Sequence, residues 1–430
     1  MVGKIEMKNY NLRIKLEKEN TMRRLRLLFG LSISCVALLA MPTAHAAEEI
    51  PYWLTNSKEL YKESPREAAK AWFREANFGL FVHLNMASLL ERGKMDYEPW
   101  MAGDASDRSV KFVGYTRPQY DAAETEQQRT DLLFQKYTLK EFDAEKICDL
   151  AVAAEMKYIT FTTEHLGGCV NFRTKLNKLN SVNAPAGRDL VGELVEECKK
   201  RGLVLFFYVP PSYAQTRDAK QIQHNRAYLT ELLTQYGPVG GIWFDGLGQF
   251  YRDPQNYQGT EETYELIRTL QPQALISFKN GAFPEEDYIS PESYLPPFEW
   301  EFDTPGRQER FDKSKSNWSK RQDLWEQSNK HKLREVCTTM LLYPGRDGVK
   351  FKETPAGWIN DEQARHLTAD QVYYWLSYSR NAGANMLMNI GPRADGSIHP
   401  DDWKALTETG ELIRSKGWPA LKNRPEQRGE

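Results

Sequence analysis

Four short apolar runs, each ending in a residue that can do chemistry, constrain this chain more than any other feature. Phe78-Gly79-Leu80-Phe81-Val82 ends at His83, and Tyr158-Ile159-Thr160-Phe161-Thr162-Thr163 ends at Glu164-His165. Leu203-Val204-Leu205-Phe206-Phe207 ends at Tyr208, and Gly240-Gly241-Ile242-Trp243-Phe244 ends at Asp245-Gly246. Such runs are apolar throughout rather than alternating, as expected of parallel strands covered on both faces. Polar residues at the carboxyl ends of successive strands converge on one face of a barrel, where barrel enzymes keep their active sites.

The intervening segments read as helices. Ser64-Pro65-Arg66-Glu67 is a capping box with proline at the first helical position, which predicts a helix to about Glu75 and then a strand Asn77–Leu84. Ile147, Leu150, Ala151 and Ala154 share one face of a helix Asp143–Glu155, followed by strand Lys157–Thr163. A helix opened by Asp189 carries Leu190, Leu194 and Val195 and stops at Gly202, before strand Leu203–Val209. Helix Ala219–Tyr236 leads to strand Gly240–Asp245, and helix Glu261–Leu270 to strand Ala274–Phe278. Met386–Pro392 reads as a late strand ending in a turn, and Trp403–Lys416 as a closing helix. Strands alternating with helices of this length mean parallel βαβ units. The predicted fold class is α/β, a (β/α)8-like TIM barrel forming a single catalytic domain; a doubly wound sheet is the alternative. Two stretches break the rhythm. Glu91 to Thr138 is polar and irregular, expected as loops and short helices over the barrel mouth. Phe298 to Glu335 is charged and dotted with tryptophan, expected as a surface excursion or lid.

The ends of the chain carry different information. Met22-Arg23-Arg24-Leu25-Arg26, the apolar stretch Leu27 to Leu39 and Ala44-His45-Ala46 have the order of a secretory signal peptide. The apolar stretch is short for a membrane span. The expected layout is a mis-called N-terminal extension (1–21), a signal peptide (22–46) and a catalytic domain (47–430), giving a secreted or periplasmic protein without stable membrane insertion after cleavage. A C-terminal β-sandwich is not expected. The net charge of -2 offers no nucleic-acid footprint. Of five cysteines, Cys35 lies in the signal. Cys148, Cys169, Cys198 and Cys337 form no C-x-x-C pair and read as small buried hydrophobes. No H-x-H or H-E-x-x-H spacing is present either, so neither a metal nor a cofactor is expected.

Two carboxylates carry the candidate chemistry. Asp245 stands at a strand end beside a glycine that admits close approach, which suits a nucleophile; a helix cap is the other use of an aspartate there. Glu292, in Ser290-Pro291-Glu292, lies one βα unit further on, with Glu285, Glu286, Asp287 and Glu301 as alternative acids. Two such groups can flank a glycosidic bond. A separation of about 5–5.5 Å implies retention, and about 6.5–9.5 Å inversion. One of the two must then be held ionised and the other protonated. His83 and His165 at equivalent strand ends suggest a shared polar pocket. Tyr208 would add a polar tip at the mouth, and Trp243, Trp100 and Trp300 could stack on a sugar face.

These segments, in this order, resemble family 29 glycoside hydrolases, the α-L-fucosidases, over about Trp72 to Leu412. The family's W-F-x-x-A-K-F-G-I-F-I-H-W-G stretch is similar to Trp72 through Asn85. Its F-D-A segment leading to T-x-K-H-H-D-G-F is similar to Phe142-Asp143-Ala144 and Thr163 through Cys169. Its W-x-D-G strand corresponds to Trp243–Gly246 and its P-E site to Pro291-Glu292. Its terminal L-L-N-I-G-P-x-x-D-G-x-I pattern corresponds to Leu387–Ile398. The resemblance implies a retaining, exo-acting enzyme that releases terminal L-fucose from a carbohydrate substrate, with Asp245 as nucleophile and Glu292 as general acid/base. His83, His165, Tyr208 and Trp243 would line the sugar subsite. Glu98-Pro99-Trp100 would stand for the family's E-W-Y loop, which adds Glu98 and Trp100 to the substrate contacts, and Lys279 would replace an expected arginine. The chain departs from the pattern at Leu166, at Glu164 and at Leu84-Asn85. A glycosidase for a related sugar such as an α-L-galactoside, or a glycan-binding pseudoenzyme, are the rival expectations.

Overall fold

A computed structural model describes residues 49–90, 126–165, 168–210, 219–245, 259–279, 281, 283–292, 329–344, 353–355, 357–362 and 364–419. Helix α1 (Pro65–Ala76) starts where expected, with Ser64 Oγ accepting from the Glu67 N–H, but the capping box is only half formed because the Ser64 N–H donates to the Leu60 carbonyl instead of to Glu67. It feeds β1 (Phe78–Val82). Next come α2 (Ala144–Ala153), β2 (Tyr158–Thr162), α3 (Leu190–Arg201) and β3 (Val204–Val209). Gly202 caps α3 in the left-handed region, where glycine pays no Cβ penalty. Helix α4 (Ala219–Gln235) leads to β4 (Gly241–Phe244), and α5 (Thr260–Leu270) to β5 (Leu275–Phe278). Strands β6 (Tyr288–Ile289) and β7 (Leu333–Thr339) follow. A three-stranded antiparallel sheet is made of β8 (Leu341–Pro344), β9 (Glu353–Pro355) and β10 (Arg365–His366). Helix α6 (Ala369–Asn381), β11 (Asn385–Ile390) and α7 (Pro400–Lys416) complete the chain.

Strands β1 to β7 and β11 close into an eight-stranded barrel, every neighbour pair parallel. The expected TIM barrel is therefore the fold. Five barrel strands (β1 to β5) are buried along their whole length, which explains their unbroken apolar character. Two glycines are required by close approach. A Cβ at Gly79 would sit 2.3 Å from the Tyr158 ring, and one at Gly241 would sit 2.1 Å from the Leu275 carbonyl oxygen. Phe73 on α1 lies against Tyr158, Phe206 and Tyr288 and closes the amino-terminal end of the barrel.

Several expectations are corrected. The excursion expected over Phe298 to Glu335 lies outside the described residues as far as 328, but its last part is barrel: β7 begins at Leu333, and Glu335 is a fully buried barrel residue. The reason is that β7 (Leu-Arg-Glu-Val-Cys-Thr-Thr) carries two charged residues and lacks the apolar signature. Strand β6 is two residues long and comes after three acids, so it gave no signal either. The polar segment before Thr138 holds a helix, Glu126–Lys136, in keeping with the short helices expected there, and its residues 91–125 lie outside the described residues. The closing helix starts at Pro400, three residues before its expected Trp403, with His399 as its cap. The four described cysteines are buried and free, and Cys148 and Cys198, on neighbouring helices α2 and α3, bring their sulfurs to 3.7 Å. Among the described residues no helix is long and apolar enough to cross a membrane.

Candidate active site

The carboxyl ends of six consecutive barrel strands deliver the site. His83 follows β1, His165 follows β2, and Tyr208 is the penultimate residue of β3. Asp245 follows β4, Lys279 follows β5 and Glu292 follows β6. The Asp245 N–H extends the β3–β4 ladder by donating to the Val209 carbonyl at 3.2 Å, and the Lys279 N–H donates to the Phe244 carbonyl at 3.0 Å. Both side chains are thus fixed by backbone pairing one residue beyond their strands. Lys279 has φ 22°, a left-handed backbone that L residues adopt at a cost.

Lys279 joins the two candidate carboxylates. Its Nζ lies 3.1 Å from Asp245 Oδ1 and also contacts Glu292 Oε1. Two oxygens within hydrogen-bond reach of one nitrogen, about 3 Å each, are no more than about 6 Å apart. Tyr208 Oη donates to Asp245 Oδ2 at 3.0 Å. Burial alone would raise the Asp245 pKa, but the Lys279 charge, His165 and the bonds from Lys279 and Tyr208 outweigh it. The carboxyl is held below its usual range and stays ionised. Lys279 is pushed well above the usual ammonium range, because the two carboxylates overcome its own desolvation, so it remains a cation.

The other expected residues form the wall around this triad. His83 Nδ1 is 2.6 Å from Asn389 Oδ1. The Asn389 amide nitrogen donates to the Trp358 carbonyl at 3.0 Å, so its oxygen faces the ring and His83 Nδ1 is the protonated nitrogen. That leaves Nε2 as the acceptor. Burial and then His165 push His83 well below the usual imidazole range, and burial lowers His165 to about 4 against the pull of Asp245. Both rings are neutral at pH 7. Tyr208 and Trp243, register neighbours on β3 and β4, stack with centroids 5.5 Å apart. The rings of His83, His165 and Tyr208 stand 5.2 to 5.6 Å from one another. The structure brings together His83, His165, Tyr208, Trp243, Asp245, Lys279 and Glu292. Glu98, Trp100, Trp300 and Leu166 lie outside the described residues.

Of the competing acids, Glu286 and Asp287 are separated from the site, and Glu301 lies outside the described residues. Glu286 and Asp287 precede β6 and so stand at the opposite end of the barrel from Glu292. Glu286 pairs with Lys332, and Asp287 with Arg66 and Arg268. Three residues escaped the sequence reading. Trp358 places its ring 4.9 Å from His83, yet it lies outside the barrel rhythm and gave no signal. Asn389, which sets the His83 tautomer, was visible only as part of the terminal motif. Glu335 lies among the charged residues of β7, and its polarity disguised its burial.

Comparison with known proteins agrees with this geometry. The family model described as Alpha-L-fucosidase matches residues 53–333, more than half of the chain. Tissue alpha-L-fucosidase of Rattus norvegicus is 25% identical over 380 residues, covering 82% of this chain and 70% of that protein. Plasma alpha-L-fucosidase of Homo sapiens is 24% identical over 365 residues, covering 81% and 68%. Among solved structures, alpha-L-fucosidase isoenzyme 1 from Paenibacillus thiaminolyticus superposes with a TM-score of 0.60 at 24% identity, covering 84% of this chain and 80% of that one. The Thermotoga maritima alpha-fucosidase in complex with fucose gives 0.56 at 19%, covering 82% and 77%. A barrel of this topology, strand ends that converge on one acid-bearing pocket, and the matched family model together establish that the chain belongs to the α-L-fucosidase family of glycoside hydrolases.

Proposed function

We propose that this protein is a retaining, exo-acting α-L-fucosidase in which Asp245 attacks the anomeric carbon and Glu292 serves as acid and then base. The observation that carries the reading is the Lys279 bridge. It holds one oxygen of each carboxylate within about 6 Å of the other, which is compatible with the about 5–5.5 Å of a retaining pair and below the about 6.5–9.5 Å of water-mediated inversion. Asp245, held ionised, attacks from one face of the ring. Glu292, half-exposed at the mouth and carrying its proton into the cycle, exchanges its Lys279 contact for the leaving oxygen, donates that proton and is left as the carboxylate. After the aglycone leaves, the same carboxylate takes a proton from water, which releases the sugar with its original configuration. Neutral His83, with Nε2 as acceptor, receives a sugar hydroxyl, and the aromatic wall of Tyr208, Trp243 and Trp358 covers the apolar edge of the ring. Glu98 and Trp100 are proposed as further substrate contacts. Residues 22–46 are proposed to direct export, with residues 47–430 as the secreted or periplasmic catalytic domain.

The test is Asp245→Ala on an activated aryl α-L-fucoside. Turnover should fall by roughly 10³-fold or more. Azide should restore it by filling the vacated space and should yield the β-fucosyl azide. A variant that keeps wild-type turnover, or a wild type whose first-formed product is the β-anomer, would overturn the reading. An aryl glycoside panel run alongside tests the sugar. Preference for the α-L-galactoside would redirect the specificity, and binding without hydrolysis would mark a pseudoenzyme.

A further inference from the structure

Four carboxylic acids are buried in the described part of the chain: Glu286, Asp287, Glu335 and Asp402. Three face a basic partner, namely Lys332, Arg66 with Arg268, and His366. Glu335 forms no ion pair among the described residues. Its Oε1 accepts from Ser290 Oγ at 2.5 Å and its Oε2 from Tyr158 Oη at 2.5 Å. The buried indole N–H of Trp243 is turned toward the same carboxyl but falls short of a regular hydrogen bond. Burying an acid with only neutral donors is costly. An apolar side chain would fill this part of the barrel more cheaply, so the contacts that Glu335 makes are the reason to look for a role.

Two of those three neighbours, Ser290 and Trp243, lead to the catalytic pair. Ser290 is two residues before Glu292, and its N–H donates to the Lys279 carbonyl at 2.6 Å. Trp243 is two residues before Asp245. Two residues along β7 from Glu335, the Cys337 N–H donates to the Pro291 carbonyl at 3.1 Å, and Cys337 pairs with Glu292 in a parallel bridge. One strand therefore grips the Ser290-Pro291-Glu292 segment twice, by the Glu335 side chain and by the Cys337 backbone. Strand β6 is only two residues long and cannot by itself fix the segment that carries Glu292.

We propose that Glu335 is a positioning residue for the acid/base step: through Ser290 it sets the direction from which Glu292 meets the leaving oxygen. This rests on Glu292 being the acid/base. Proton donation matters most when the leaving group is a poor one, because a good one departs without it. A residue that acts only on overall stability would slow both kinds of substrate alike.

The experiment compares kcat/KM on 2-chloro-4-nitrophenyl α-L-fucoside and on 4-methoxyphenyl α-L-fucoside for wild type, Glu335→Gln, Ser290→Ala, the double variant and Glu292→Gln. Melting curves confirm that each variant is folded. For Glu335→Gln and Ser290→Ala we expect a loss of roughly tenfold or more on the methoxyphenyl substrate and of about twofold or less on the activated one. The double variant should be no worse than the worse single one, because Ser290→Ala removes, and Glu335→Gln weakens by replacing the carboxyl acceptor with an amide, the same contact. Equal losses on the two substrates, or wild-type rates on both, would overturn the inference. If Glu335→Gln does not fold, Ser290→Ala reads the same contact from its other side. Glu292→Gln separates the layers. If it shows the leaving-group dependence and the other two variants do not, the positioning role alone fails. If it shows none, the acid/base assignment fails and this inference with it.

Discussion

The Lys279 ammonium nitrogen stands 3.1 Å from Asp245 Oδ1 and contacts Glu292 with the same charge. One cation thus answers both carboxylates, and its charge outweighs the burial that alone would raise the Asp245 pKa. Lys279→Met should leave Asp245 without its main counter-charge, so its pKa should climb toward and beyond the usual value of 3.8. The acid limb of the kcat/KM profile should move to higher pH in that variant. An unchanged limb would show that the lysine does not set the Asp245 charge. Lys279→Arg keeps the charge but brings a wider planar head, and should restore the limb better than the rate.

Tyr208→Phe removes the hydroxyl that donates to Asp245 Oδ2 while keeping the ring that stacks on Trp243. A hydrogen bond to a charged group contributes about 1.5–3 kcal/mol, so kcat/KM should fall by roughly tenfold or more. The melting temperature should change little. A large thermal loss with intact kinetics would reassign Tyr208 to the core.

His165 and His83 give the fold an acid-side weakness. Both have folded pKa values below that of a free imidazole, His165 at about 4 against 6.5. Between those values the unfolded chain binds more protons than the folded one, so stability should fall as pH drops from about 6.5 toward about 4. His165→Gln should flatten that part of the stability curve in denaturant titrations. An equally steep curve in the variant would exclude His165 as the source.

Glu335 has the opposite sign. Burial lifts its pKa to about 7 from 4.5 despite the hydrogen bonds from Ser290 and Tyr158 and the Trp243 indole turned toward it. The titratable groups facing it are Tyr158, Tyr288 and Cys337, each pushed well above its usual range and so neutral. A raised carboxyl contributes stability that is fully present below 4.5 and lost as pH rises through about 7. Glu335→Gln does not titrate, so its melting temperature relative to wild type should improve between pH 5 and pH 8. A constant difference across that range would contradict the assignment.

Gly241→Ala should disrupt the barrel seam that carries Trp243 and Asp245. The added Cβ would meet the Leu275 carbonyl at 2.1 Å, and backbone in a paired strand cannot step aside. A loss of about 1–3 kcal/mol or more is expected in the unfolding midpoint. Tolerance without destabilisation would mean that β4 and β5 can separate at this point.

The legible parts of the chain share one property: their signal is local. Strands β1 to β5 were readable because burial on both faces demands unbroken apolar runs, and α1 and α3 because their caps are short patterns. Asp245 could be singled out because the residues before it spell a buried strand. The illegible parts owe their place to distant neighbours. Strand β6 exists only because β5 and β7 flank it, and β7 hides Glu335 behind a polar sequence because Ser290 and Tyr158 come from other strands to satisfy it. Trp358 reaches the pocket from a segment with no periodicity at all.

The sequence alone determined the α/β alternation, the polar residues placed at strand ends and the family resemblance, because hydrophobic periodicity and short motifs act through neighbours in the chain. Only the tertiary structure decided that Lys279 would lie between Asp245 and Glu292, that Glu286 and Asp287 would face the far end of the barrel, and that an acid would be buried beneath Ser290. Those outcomes depend on the register of eight strands closing on one another, which no local window of residues contains.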